Sequence, residues 1–236
     1  MPRHSTVIVR GHNPDIDSGT AEDLWEAGGE LAYLSSEETM NIVSTSTNDD
    51  GDPAGSGALT LRVSGVDGTG AAVSEDVTMN GTSNVLTSQA FLRVNVMQVL
   101  TVGSGNTNAG NITATASSAA SIQCEMDATE ALSQNSHYTV PLTTKGYLYQ
   151  VEFNLTKNAG GGLSVELHGF ARPGGAGAPW LQLFDKHMDE DITDESDLLL
   201  PFPTQMPART DIRLSALTNK ADTDVRSRMY LMIVED

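Results

Sequence analysis

Residues 147–155 read YLYQVEFNL. Tyr147, Tyr149, Val151, Phe153 and Leu155 take every second position, with Gln150, Glu152 and Asn154 between them. Side chains of an extended chain alternate between two faces, so this spacing predicts a strand with one apolar and one polar side. The same period recurs on the C-terminal side. Leu163, Val165 and Leu167 follow the Gly160–Gly162 turn, Trp180, Leu181 and Leu183 follow a Gly/Pro-rich loop, and Ile212, Leu214 and Ala216 form a further run. The end of the chain, MYLMIVED from Met229, is apolar at consecutive positions and predicts a strand covered on both faces.

Toward the N-terminus, Leu59, Leu61 and Val63 alternate with Thr60, Arg62 and Ser64, and the turn-rich GVDGTG follows. Val73, Val77 and Met79 lead to Asn80-Gly81, a pair that predicts a type I′ hairpin turn. Leu92, Val94 and Val96 are succeeded by Met97 and Val99 in the other phase, which predicts a bulge near Met97. In the Gly/Asn/Ser/Thr/Ala-rich stretch 102–121, Ile112, Ala114 and Ala116 predict a thin strand. Helical periodicity is nearly absent. Short alternating runs joined by turns define an all-β chain, a β-sandwich or jelly-roll-like fold.

Residues 1–38 carry little apolar surface and read as an extended N-terminal arm. Val7 to Val9 predict a short strand, HNPDIDSGT is turn-rich, and AEDLWEAGG predicts one helical turn around Leu24 and Trp25, stopped by Gly28 and Gly29. Residues 39–236 read as one β-sandwich domain. The alternative is two sub-sandwiches divided near residues 121–137.

The 236 residues hold 13 Lys+Arg against 31 Asp+Glu, a formal net charge of -18. That balance speaks against phosphate-backbone binding and against adhesion to anionic lipid, both of which need clustered cations. It suits a protein held soluble at high local concentration. Cys124 is the single cysteine, so no intrachain disulfide forms, and its place in SIQCEM predicts a small buried strand residue. No long apolar run and no basic-then-apolar start are present, so neither a membrane span nor a secretory signal is expected. Synthesis in a bacterial-type cytoplasm is the expectation.

Motifs for chemistry are sparse. His4, His12, His137, His168 and His187 show no metal-clamp spacing, and His168 is expected on a polar strand face beside Glu166. No nucleophile elbow surrounds a serine, and Cys124 lacks a nucleophile context. GSGNTNAG (Gly103 to Gly110) superficially resembles a phosphate loop, but NITATAS after it is strand-like and no lysine is near. NDDGD (Asn48 to Asp52) and DKHMDEDITDESD (Asp185 to Asp197) are dense in carboxylates without the spacing of a calcium loop, and read as solvated acidic loops. The triplets at Asn80, Asn111 and Asn154 fit the glycosylation acceptor pattern and read as chance products of a Thr-rich β-protein. No catalytic residue, metal ligand or cofactor is expected.

Three segments carry a resemblance. They are NPDIDSGTAEDLWEAGGELAYL (13–34), the stretch from Val73 to Thr115 containing NGT, FLRVNVM and NAGNITAT, and LPFPTQMPARTDIRLSALTNKADTDVRSRMYLMIVED (200–236). Together they cover 102 of the 236 residues, somewhat under half of the chain, in the expected order. The chain resembles a family of virion structural proteins of tailed phages, especially phages of marine and freshwater bacteria. It departs from that pattern in its acidic Asp185–Asp197 stretch and its Met-rich C-terminus.

The resemblance implies a virion component made in the bacterial host cytoplasm, with an assembly role and no catalytic residues. A capsid decoration or cement protein stabilising the head shell is the favoured position. A tail-associated collar or fibre-attachment protein is the alternative, and a carbohydrate-binding module a more distant one. The implied partners are other virion proteins, the major capsid protein first and tail proteins second, together with further copies in a homo-oligomer. Nucleic acid and membrane are not expected partners. Leu24 and Trp25 in the arm, and Met229, Tyr230, Leu231 and Met232 in the last strand, are the candidate partner contacts.

Overall fold

The structure is a computed structural model that describes residues 3–156, 162–189 and 196–235. Its strands in chain order are β1 (His4–Ile16), β2 (Ala21–Asp23), β3 (Glu38–Ser44), β4 (Ala58–Val66), β5 (Ala72–Thr78), β6 (Val85–Phe91), β7 (Arg93–Val102) and β8 (Ile112–Ala116). They continue as β9 (Ile122–Met126), β10 (Tyr138–Thr139), β11 (Thr144–Thr156), β12 (Ser164–Arg172), β13 (Leu181–Asp189), β14 (Ser196–Met206), β15 (Asp211–Thr218) and β16 (Thr223–Glu235). The fold is all-β and sandwich-like, as the alternation requires. No helix of the described residues is long and apolar enough to cross a membrane.

The chain forms two compact units. Unit 1 comprises Met1–Glu30 with Asn135–Asp236, and unit 2 comprises Leu31–Gln134. The second junction falls within the 121–137 stretch, while the first lies inside the segment read as an arm.

Unit 1 has a four-stranded sheet in the order β1-β16-β11-β14 and a second sheet β10-β15-β12-β13, with β2 also paired to β15. Its core holds Val9, Ile16 and Leu24 from the first thirty residues, together with Leu148, Val151, Phe153, Leu167, Leu214, Met229 and Leu231. Residues 1–38 therefore do not extend away as an arm along β1. That strand is paired with β16 from His4 to Ile16. The segment is short of apolar residues because alternate positions alone supply the core.

The helical turn expected at Leu24 and Trp25 is instead the short strand β2 followed by a turn. Strand pairing of Ala21, Glu22 and Asp23 with Leu217, Ala216 and Ser215 outweighs the weak local helix preference of this stretch.

The stretch YLYQVEFNL keeps its strand but not a single phase. The register of β11 slips between Leu148 and Gln150 on both neighbouring strands. Leu148, Val151 and Phe153 are buried in the core, while Tyr147 stands opposite Met232 on the other face. A bulge adds one residue, and one residue exchanges the faces of everything before it. In β16, Val225, Met229, Leu231 and Ile233 point into the core. Arg226 and Arg228 on the other face are exposed, and Tyr230 and Met232 are half-buried. The strand expected to be covered on both faces is thus closed on one.

Unit 2 packs a sheet β6-β3-β8-β9 against a sheet β5-β4-β7. Met40, Ile42, Leu61, Val63, Phe91, Met97, Ile112 and Cys124 are among its core residues. The expected bulge in β7 falls at Asn95, since Ser64 pairs with Val96 while Gly65 pairs with Val94. Asn80-Gly81 makes no type I′ hairpin. Strands β5 and β6 lie in different sheets, the turn closes by Ser83 N–H donating to the Asn80 carbonyl at 2.9 Å, and the positive φ falls on Gly81 but not on Asn80. Two extended runs flanking Asn-Gly look alike whether they pair with each other or cross between sheets.

Candidate functional site

The first of the three resembling segments folds around two buried carboxylates. Glu22 receives the Asn13 side-chain amide at 3.0 Å and the Gly29 N–H at 2.8 Å on Oε2, and the Asp17 N–H at 2.8 Å on Oε1. Gly28 and Gly29 sit at φ 68° and 65°, the left-handed region that L side chains avoid. That conformation brings the Gly29 carbonyl to the Trp25 indole N–H at 3.0 Å.

Asp23, fully buried, accepts from the Arg213 guanidinium at 3.1 Å and lies 3.5 Å from the His137 ring, which meets Trp25 edge-on. A buried acidic group is tolerated where donors converge on it. The carboxylates of AEDLWEAGG hold their own loop to the sheet.

Unit 2 contains the second node. Asp49, in NDDGD, is fully buried. Its Oδ1 accepts the Ala58 and Ala109 N–H groups at 2.7 Å each, and its Oδ2 accepts the Ser44 hydroxyl at 2.6 Å and the Gly110 N–H at 2.9 Å. Ala109 and Gly110 belong to GSGNTNAG, so the amides that could have faced a phosphate are spent on a carboxylate of the same chain. Asn108 ties the loop further by donating to the Gly110 and Asp127 carbonyls at 2.9 and 2.8 Å and accepting the Ala131 N–H. Asn111 donates to Glu125 and Asp127. Burial raises Glu125 above the ordinary carboxylate range, opposed by the Asn111 bond and reinforced by the Asp127 charge.

A third cluster lies on β12 and β15. Arg172 is held by Asp211 at 2.5 Å, and Asp211 also accepts the Thr139 hydroxyl at 2.7 Å. The Arg172 and Arg213 guanidinium carbons stand 4.5 and 4.8 Å from the Trp180 ring centroid, and Arg213 also covers Phe170 at 5.2 Å. Trp180 is therefore already stacked on cations, where a sugar-binding tryptophan would present its ring. Its replacement by Ala is expected to lower the stability of unit 1 by about 1–3 kcal/mol in a denaturant titration, from lost cation–π contact and packing. An unchanged midpoint would show the stack to be idle.

Of the six candidate contacts, Leu24, Met229 and Leu231 are core residues and Trp25 is buried as well. They are committed to this chain's own interior. Tyr230 and Met232 remain half-buried on the outer face of β16. Tyr230 donates its hydroxyl to Glu152 at 2.8 Å, and that bond with its carboxylate partner raises the Tyr230 pKa.

Cys124 is buried on β9, as SIQCEM suggested, and His168 is half-buried on the outer side of β12 beside Phe170. Of the acidic stretch Asp185–Asp197, residues 190–195 lie outside the described residues. Sequence reasoning missed the Glu22, Asp23 and Asp49 nodes because an acid between polar neighbours gives no signal of burial.

No family model matches the chain, and no curated protein matches it. Among solved structures, it aligns with "Structure of infectious bursal disease virus Gx strain" at 12% identity, covering 100% of this chain and 73% of that one at a TM-score of 0.23. "The 2.6A structure of Infectious Bursal Virus Derived T=1 Particles" aligns at 11% identity over 98% and 70% of the two chains, also at 0.23. At that TM-score the likeness carries no inference about position or partner.

Proposed function

We propose that this chain is a non-enzymatic structural component of a tailed-bacteriophage virion, a capsid decoration or cement protein bound non-covalently to the major capsid protein. One observation carries the reading. In two resembling segments, the side chains of Glu22, Asp23 and Asn108 and the backbone N–H groups of Ala109 and Gly110 lie in hydrogen-bonded networks that fix loops to sheets. What those segments specify is a rigid scaffold. Two β-sandwich units of strong net negative charge suit a protein displayed in many copies on a shell.

Quantitative densitometry of purified particles tests this. A head protein following shell symmetry is expected in roughly hundreds of copies. About a dozen copies would place it in the tail, as a collar or fibre-attachment component, and absence from particles would defeat the virion reading altogether.

A further inference from the structure

Strand β1 is an edge of the sheet β1-β16-β11-β14. The phase of its ladder is set by the Glu235 N–H, which donates to the Arg3 carbonyl at 3.0 Å. In an antiparallel pair, successive residues alternately bond the partner strand and face away from it. His4 stands opposite Val234, and the register is unbroken as far as Asn13. Ser5, Val7 and Val9 therefore bond β16, while the N–H and C=O groups of His4, Thr6, Ile8 and Arg10 point out of the sheet edge. Among the described residues no hydrogen bond reaches those outward groups. The strand is open to solvent there, with His4, Ser5 and Thr6 exposed and Ile8 42% exposed.

Proteins guard such edges with prolines, charges or bulges, since an open ladder recruits another strand. The opposite edge, β14, carries Pro201 and Pro203, which have no N–H to offer. Between Ser5 and Val9, β1 has neither proline nor charge.

The charges that flank this segment point to the chemistry of an occupant. Arg10 stands directly opposite Arg228, an arrangement that costs energy when left uncompensated. Arg228 is answered by Glu152 at 3.5 Å. Arg10 has no carboxylate partner among the described residues. Exposed Arg226, two pairs further along, has Asp224 at 3.8 Å, and Arg3 at the other end lies opposite Glu235. In a chain of net charge -18, Arg10 is thus a cation left unanswered beside the open edge.

We propose that the β1 edge is a docking site for an extended acidic segment of another protein, which adds as a further antiparallel or parallel strand and sets a carboxylate beside Arg10. The site does not depend on the virion reading.

Fluorescence anisotropy of two labelled, end-blocked peptides against the full chain tests it, one alternating Val and Glu and the other alternating Val and Lys. The Glu peptide is expected to bind, about tenfold more weakly when salt screens the contact. Thr6→Pro removes an outward N–H and spares the β16 ladder, so it is expected to weaken binding at least about tenfold with an unchanged thermal midpoint. Arg10→Glu sets a carboxylate opposite Arg228, so the chain stays folded and its preference passes to the Lys peptide. If Thr6→Pro fails to fold, the Arg10→Glu exchange decides.

Absence of binding, equal binding of both peptides, or indifference to both substitutions would overturn the proposal. Self-association of the chain without peptide, lost in Thr6→Pro, would also overturn it, because the occupant would then be a second copy.

Discussion

A chain lacking residues 1–30 is expected to lose the fold of unit 1. The deletion removes Val9, Ile16 and Leu24 from its core and Trp25 from beside His137. Each buried side chain of this size contributes about 1.5–3 kcal/mol, so roughly 6–12 kcal/mol disappears. A whole domain is stable by only about 5–15 kcal/mol. The β16 ladder also loses its partner along the length of β1.

The shortened protein should show reduced strand signal by circular dichroism and rapid proteolysis within residues 135–236. Unit 2 has a separate core and should keep a cooperative transition. A deletion variant with both transitions intact would show that β1 merely rests on the sheet. Read from sequence as an arm, the same segment would have been dispensable for folding, so the two accounts predict opposite results.

Asp49→Ala is expected to destabilise unit 2 by about 3–5 kcal/mol. The substitution leaves the Ala58, Ala109 and Gly110 amides and the Ser44 hydroxyl without their acceptor, and stranded buried donors each cost about 1–3 kcal/mol before any local rehydration. Asp49→Asn should recover only part, because its single carbonyl oxygen serves one side of the cluster and its amide turns N–H groups toward the other.

Urea titration of the full chain measures the loss. Hydrogen exchange at Ala58, Ala109 and Gly110 should speed up in step with it. An unchanged midpoint with unchanged exchange would show that the carboxylate is ornamental. Gly57 belongs to the same node, since a Cβ there would collide with Asp49 Oδ1.

The alternation in Leu61 and Val63, in Val165 and Leu167, and in Leu214 and Ala216 was legible because a strand with one face in a core must repeat every two residues. The thin strand Ile112–Ala116 was legible for the same reason, and it is a central strand of its sheet. The bulge in β7 announced itself through a change of phase.

The bulge in β11 did not. Tyr147 and Tyr149 are apolar enough to continue the core pattern, so the change of face left no mark in the sequence. The polar nodes were hidden for a related reason. Whether Glu22 or Asp49 is solvated or buried depends on amides brought by residues distant in the chain: Ala109 and Gly110 reach Asp49 from about sixty positions away.

The all-β class, the scarcity of helix and the acidic balance followed from the sequence alone, because periodicity and net charge are sums over local choices. Partner strands, insertion of unit 2 within unit 1, and the use of residues 4–16 as a structural edge followed only from the tertiary structure. Strand pairing joins residues more than two hundred positions apart, such as Val7 and Leu231, and a period of two says that a strand exists without saying which strand lies beside it.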